Sequence, residues 1–243
     1  MKTYEKIETI YARDIEGTKK LIPGEYRNET VKYLKDCEWI WTEKVDGTNI
    51  RVYWDGHSVT FGGRTDKAQI PAALVNRLNE LFGGEENAQM FEQTFGEKEV
   101  IFFGEGYGKK IQAVGSAYNP DGVDFILFDV WIKAHLPEAD AVGQGPTADG
   151  RIKDSSAAPW GNYQEREWVE ETARAFGVKV VPVVGRGKLE DAVEYVNGHP
   201  KSTLGDCEME GLVCRPAREL RDRRGERVIV KIKWQDFRKL AEG

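Results

Sequence analysis

A chain of 243 residues, 40% hydrophobic and 31% charged, is long enough to bury a substantial core and has the balance of a globular protein. A nucleic-acid binder is usually basic overall, so the net charge of −6 counts mildly against that class, and no apolar run approaches the roughly 20 residues of a membrane span. Three cysteines without a CxxC pair (Cys37, Cys207, Cys214) argue against a disulfide framework and a cysteine zinc site, and with no apolar leader after Met1 they point to a reducing, cytoplasmic home.

Residues 1–28 show no sustained periodicity, with a turn at Pro23-Gly24, and 29–34 reads as a short helix. Alternating aromatic and β-branched residues predict strands over 38–44 and 49–54. Asp55-Gly56 is a hairpin turn and 57–61 the returning strand, ending at Gly62-Gly63-Arg64. Apolar residues at helical spacing predict a helix over 72–82, stopped by Gly83-Gly84, and a second over 88–95. Strands follow at 99–105 and 123–132, and 137–161 is a long loop rich in Gly, Pro, Ala, Asp and Ser. A helix over 164–176, a strand over 178–184, a helix over 189–196 and strands over 208–214 and 227–234 complete the chain. There is no internal repeat, and the order describes one α+β domain with much antiparallel strand and helices inserted between hairpins. His57, His135 and His199 lack ligand spacing and take no role.

Between the first two of these strands lies Glu43-Lys44-Val45-Asp46-Gly47-Thr48-Asn49. A lysine at its ordinary pKa is almost wholly protonated at neutral pH, and making it neutral costs about 4–5 kcal/mol. Apolar walls and neighbouring cations lower that cost, so a nucleophilic lysine needs both. Trp39, Ile40 and Trp41 precede Lys44, and far downstream Lys231 and Lys233 stand at i and i+2, on one face of a strand. Two ammonium groups so placed call for a polyanion or nearby carboxylates; the plainer reading is an edge strand blunted with lysine. From Arg215 to Lys233, eight basic residues stand against Glu219, Asp222 and Glu226, either a solvated self-paired loop or a phosphate-binding edge.

Lys44-Val45-Asp46-Gly47 resembles the KxDG nucleophile motif of the covalent nucleotidyltransferases, which include ATP-dependent DNA ligases, RNA ligases and mRNA capping enzymes. The family's other motifs have counterparts in the same order. Gly63-Arg64 is similar to the arginine motif, Phe103-Gly104-Glu105-Gly106 to the strand-borne glutamate motif and Phe125 to Val130 to the base-stacking strand. Glu210-Gly211-Leu212-Val213 is similar to EGxV and Lys231-Ile232-Lys233 to the closing KxK. Within the superfamily the likeness is nearest to RNA ligases of the bacteriophage RNA ligase 2 type, where Asn49 fits a KxDGxN form. Taken singly each piece has an ordinary reading: Phe128 as core, Arg64 as a turn residue, Glu105 as a surface acid.

The resemblance implies a nucleotidyltransferase (ATP-grasp-like ligase adenylation) fold of antiparallel sheets with flanking helices. It implies an ATP-dependent RNA ligase that joins 5′-phosphate and 3′-hydroxyl ends through lysyl-AMP on Lys44 and an adenylylated RNA 5′ end, with Mg²⁺ or Mn²⁺, as in RNA repair. Lys231 and Lys233 would hold the α-phosphate, and Glu210 and Asp46 would serve the metal. Glu105 would accept a ribose hydroxyl, Arg64 would contact the ribose or the nucleic-acid end, Phe128 would stack on adenine, and Glu43 and Asn49 complete the nucleotide site. The chain departs from the pattern in ending ten residues beyond Lys233, with no OB-fold or accessory C-terminal domain, so the expectation is either that the catalytic domain seals RNA alone or that the Arg215–Arg227 patch or an accessory nucleic-acid-binding protein supplies the grip. The alternatives are a minimal ATP-dependent DNA nick ligase and a catalytically silent nucleotide- or RNA-binding protein of the same fold.

Overall fold

The long central strands of the computed structural model, which describes residues 1–134 and 161–241, follow the aromatic and β-branched runs of the sequence, whereas the short strands before residue 28 and at 161–163 have no such signal. The chain opens with β1 (Glu8–Thr9), β2 (Tyr11–Arg13) and β3 (Leu21–Tyr26), then α1 (Glu29–Leu34), whose Val31 N–H is capped by the Asn28 side chain at 2.8 Å. Next come β4 (Trp39–Glu43), β5 (Thr48–Trp54), β6 (Val59–Gly62), α2 (Ala72–Phe82) and α3 (Glu85–Phe95). They are followed by β7 (Val100–Gly108), α4 (Gly115–Tyr118), β8 (Val123–Lys133), β9 (Gly161–Tyr163) and α5 (Arg166–Ala175). The chain then runs through β10 (Lys179–Val180), β11 (Val183–Gly187), α6 (Leu189–Asn197), β12 (Gly211–Pro216), β13 (Val230–Lys233) and α7 (Trp234–Ala241).

Two sheets result, in orders β1-β13-β12-β4-β11 and β10-β8-β7-β5-β6, with β9 on the flank of β8 and β2-β3 as a separate pair. The ladders are antiparallel except β1 with β13 and β10 with β8, so the predicted α+β class with antiparallel sheets and flanking helices holds. The inner face of the first sheet (Trp39, Trp41, Leu212, Cys214, Ile232) packs on Leu189, Ala192, Val193 and Val196 of α6. The second sheet (Ile50, Val52, Trp54, Phe102, Leu127) packs on Leu74, Leu78 and Phe82 of α2, Phe91 of α3 and Val169 of α5. No helix among the described residues is long and apolar enough to cross a membrane.

Four expectations need correction. The strand read over 178–184 is two strands in different sheets: Val181 N–H still donates to Leu127 O on the second sheet, while the Pro182 carbonyl accepts from Glu43 on the first. Proline has no N–H to continue a ladder, so the chain changes sheets there. The strand ending at Trp234 stops at Lys233, because Trp234, Phe237 and Leu240, three apart, pack on the first core as a helix. Pro23-Gly24 lies inside β3, with Gly24 at φ +82, and is not a turn. The second helix starts at Glu85, earlier than 88, where Glu85 and Glu86 favour the positive end of its dipole. Of the loop at 137–161, only Gly161 falls within the described residues.

Candidate active site

Three adjacent strands of the first sheet gather the charged groups at one end. Lys44 directly follows β4, and its backbone N–H donates to Gly211 O at 2.9 Å. Gly211 stands opposite Lys233 on β13, and Leu212 stands opposite both Glu43 and Ile232. Glu210 therefore meets both lysines: its Oε2 accepts from Lys44 Nζ at 2.6 Å and its Oε1 pairs with Lys233. Along β13, Val230 and Ile232 are buried in the core, and Lys231 and Lys233 turn together to the opposite side, as their i, i+2 spacing predicts. A Cβ at Gly211 (φ +150) would lie 2.0 Å from Ile232 O, so glycine is what lets β12 close on β13 immediately after Glu210.

The second sheet supplies the other wall. Asn49 on β5 pairs with Glu105 on β7, which pairs with Ile126 on β8. The segment between Lys44 and β5 crosses from one sheet to the other. It is anchored by Val45, buried among Tyr107, Tyr118, Ile126 and Val181, and by Gln112 Nε2 donating to Gly47 O at 3.0 Å. Gly47 passes so close to β7 that a Cβ would meet Gly106 O at 2.4 Å. On β8, Phe103 pairs with Asp129 and Gly104 with Leu127, so Phe128 is the extra residue of a bulge. That bulge breaks the alternation and turns two consecutive side chains, Phe128 and Asp129, towards the same space. Arg51, fully buried on β5, donates from Nε to Gly63 O at 2.7 Å and from Nη2 to Asp66 at 2.8 Å, which fixes the turn that presents exposed Arg64.

Between the walls lies a cavity of about 430 Å³. All ten residues expected from sequence line it: Glu43, Lys44, Asp46, Asn49, Arg64, Glu105, Phe128, Glu210, Lys231 and Lys233. Burial, then the charges of Lys233 and Lys44, lowers the pKa of Lys231. Burial, then the carboxylate of Glu210, raises Asp46 against the pull of Lys44 and Lys233. Burial pushes Glu105 up to about 8, with Glu210 and Asp46 adding to it and Lys44 opposing, so at neutral pH this acid keeps its proton and can donate as well as accept. The buried Oδ1 of Asn49 has no hydrogen-bond partner among the described residues and is available to a donor in the cavity. Among the described residues no three His, Cys, Asp or Glu side chains form a protein-only metal site. Asp46 nevertheless sits close enough to Glu210 to feel its charge, and the two make a hard-oxygen pair suited to a divalent cation whose shell is completed by phosphate.

One expected ligand is otherwise engaged. Glu43 is 1% exposed, and its carboxylate accepts from Ser202 Oγ, Thr203 Oγ1 and the Thr203 N–H, so most of its acceptor capacity goes to fixing the strand end before Lys44. The basic stretch is also sorted by the fold. Arg215 and Arg227 are buried around Asp129, with Arg227 Nη1 and Nη2 at 2.6 and 2.9 Å and Arg215 Nη1 at 2.9 Å, so neither is a surface phosphate ligand. Sequence reasoning missed Tyr4 altogether. Its ring meets Phe128 edge-on at 4.9 Å and its hydroxyl donates to Asp129, beneath the cavity wall. No pattern in residues 1–28 signals this; Asp129, an acid inside the apolar run 123–132, was an unread sign of a buried polar partner.

The raised Glu105 gives a pH test. An acid whose pKa is higher in the fold than in the unfolded chain contributes stability that is full below about 4.5 and is lost as pH rises through about 8. In the absence of nucleotide, Glu105→Gln is expected to flatten the fall in melting temperature over that interval; parallel profiles for variant and wild type would contradict the assignment.

A sequence model of the RNA ligase family matches residues 37–233. No curated protein is significantly similar in sequence to the chain. Among solved structures, an apo mutant of the Naegleria gruberi RNA ligase aligns with a TM-score of 0.60 at 17% identity, over 99% of this chain and 58% of that one. A mutant of the same ligase with ATP and Mn gives 0.61 at 16%, over 100% and 59%, and one with AMP and Mn gives 0.56 at 16%, over 96% and 62%. The chain thus spans about three-fifths of the length of these structures, and at such identities the likeness is one of fold.

Proposed function

The chain belongs to the RNA ligase family, and from that premise we propose that it joins RNA 5′-phosphate and 3′-hydroxyl ends at the expense of ATP, with Lys44 as the carrier of AMP. The observation that carries this reading is the meeting of Lys44, Lys233 and Glu210 beside Lys231 at the mouth of one cavity. In the first step the Lys44 Nζ lone pair attacks the α-phosphorus of ATP, the bond to pyrophosphate breaks and Nζ gives up a proton. Glu210, 2.6 Å from Nζ, orients the amine. Lys231 and Lys233 supply positive charge where negative charge accumulates on the phosphoryl oxygens. In the second step AMP passes from Nζ to an RNA 5′-phosphate. In the third an RNA 3′-hydroxyl attacks that phosphate and AMP leaves.

The remaining residues bind. Phe128, turned inward by its bulge, stacks on the adenine, worth about 1–3 kcal/mol by the measure of base–aromatic contacts. Glu105 and Asn49, paired across β5 and β7, engage the nucleotide's hydroxyl and amine groups. Arg64, at the exposed rim, reaches the ribose or the incoming RNA end. Asp46 and Glu210 would hold a divalent cation, Mg²⁺ or Mn²⁺, which neutralises phosphate charge when bound. Solved structures of the Naegleria ligase with ATP or AMP and Mn support the choice of ligands.

Incubation with α-labelled ATP and Mg²⁺, followed by matched RNA, DNA and hybrid substrates, tests the proposal. Acid-labile label on the protein and preferential sealing of 5′-phosphate RNA are expected. Absence of label would overturn the enzyme reading, and equal or better sealing of an all-DNA nick would replace it with a DNA nick ligase.

A further inference from the structure

The excursion between β12 and β13 is a small hairpin rooted at the cavity, because the residues at its two ends, Arg215 and Ile229, both line that space. Arg221 bridges to Arg227, Val228 N–H donates to Leu220 O at 2.9 Å, and Asp222 N–H donates to Glu226 O at 2.8 Å. Gly225, at φ +78, closes the turn with its N–H on Asp222 O at 3.0 Å.

Inside this hairpin the fold consumes most of the acidity and spares most of the arginine. Glu219 pairs with buried Arg227, Nη2 to Oε2 at 2.8 Å. Asp222 Oδ1 accepts from the Arg224 N–H at 2.8 Å and the Glu226 N–H at 2.9 Å, so it serves as the cap of the turn. Arg218, Arg221, Arg223 and Arg224 are all exposed, and among the described residues none of them is in an ion pair. Arg221 is steadied by two backbone carbonyls, donating to Gly225 O at 2.8 Å and to Gly161 O at 3.5 Å. In a chain of net charge −6, four unpaired guanidinium groups on one turn are a local concentration of positive charge beside the phosphate-handling cavity. Guanidinium forks suit phosphate oxygens, and a repeating row of them suits a polyanion better than a single ligand.

We propose, resting on the RNA ligase reading above, that this arginine hairpin grips the phosphate backbone of the RNA at a distance from the joined end. The five steps from Gly211 to Pro216 along β12, at roughly 3.3 Å each, put the hairpin's base about 17 Å from the Lys44 end of the strand. The contacts therefore fall several nucleotides inward, and the hairpin supplies affinity without touching the reacting phosphate.

The test uses the full chain with Arg218→Gln, Arg221→Gln, Arg223→Gln and Arg224→Gln combined, and a companion with all four changed to lysine. AMP labelling from ATP needs no RNA and serves as the control for folding and for the ligase reading. Binding of a labelled 5′-phosphate RNA is then titrated across salt concentrations. The glutamine variant is expected to bind at least about tenfold more weakly, with the slope of log K against log salt shallower by about 2–3 for single-stranded RNA, and the lysine variant is expected to keep most of the slope. RNA shorter than the reach of the hairpin is expected to show no difference. If the combined variant does not fold, single Arg223→Gln and Arg224→Gln variants are expected to lower the slope by about 0.7 each. Unchanged RNA affinity and slope with labelling intact would overturn the hairpin's role and leave the ligase reading standing. Loss of AMP labelling from the wild type would instead strike the ligase reading alone, since RNA binding by the hairpin is measured separately.

Discussion

Lys44→Ala is expected to reduce AMP labelling by a factor of at least about 10³ while leaving the melting temperature nearly unchanged. The second half of that expectation follows from geometry. The Lys44 side chain is a quarter exposed, and Glu210 keeps Lys233 when Lys44 is removed, so no buried charge is stranded and the stability change stays within about 1 kcal/mol. Lys44→Arg sharpens the test. Arginine can retain the charge and the pairing with Glu210, but its guanidinium does not deprotonate near neutral pH and cannot attack phosphorus. If the cluster served only to bind a nucleotide electrostatically, Lys44→Arg would keep most nucleotide affinity and Lys44→Ala would lose some. If Nζ is the nucleophile, both variants bind ATP and neither takes label. Label retained on either variant would refute the assignment of Lys44.

The gathering of the candidate site's residues at one cavity was legible in the sequence because most of them occupy strand positions whose facing is set by alternation. Lys231 and Lys233 share a face for that reason, and the antiparallel register of β4, β12 and β13 then brings them to Lys44 and Glu210. Where alternation breaks, sequence reading loses its grip. The bulge at Phe128 turns Asp129 to the cavity side, and no local signal shows where the extra residue falls. Pro182 was a visible signal that a single strand over 178–184 ignored. The basic run 215–233 stayed undecided between a self-paired loop and a phosphate-binding edge because sequence carries no burial. In the fold, Arg215 and Arg227 go inward to Asp129 while the arginines of the hairpin stay out. Glu43 shows the same limit: next to Lys44 in sequence, it is tied to Ser202 and Thr203 from a distant loop.

Arg227→Met should be the most destabilising of the substitutions considered, by about 3–5 kcal/mol, or roughly 10 °C in melting temperature. Arg227 is the hub of the buried cluster: it holds both oxygens of Asp129, pairs with Glu219, receives support from Tyr4 and lies 4.1 Å from the centre of the Tyr163 ring. Burial alone would raise the Asp129 carboxyl, but Arg227 and Arg215 more than reverse this and hold it below its ordinary value. In the wild type that depressed acid contributes stability above its ordinary 3.8, and the contribution is lost as pH falls through the lower folded value. Removing Arg227 leaves Asp129 buried with Arg215 and Tyr4 only, so burial regains the upper hand and the carboxyl shifts upward. The variant's deficit should thus be widest near neutral pH and shrink as acid protonates Asp129. Adding Asp129→Asn to Arg227→Met should recover part of the loss, because the stranded charge and not the missing packing is the larger cost. A deficit independent of pH, or a double variant worse than the sum of the two singles, would show that Arg227 acts through packing on Tyr163 and Tyr4. The consequence for the site follows from the same contacts. Tyr4, held by Asp129 and Arg227, supports the edge of Phe128, so the surviving fraction of Arg227→Met should bind ATP more weakly at an unchanged rate of label transfer once saturated.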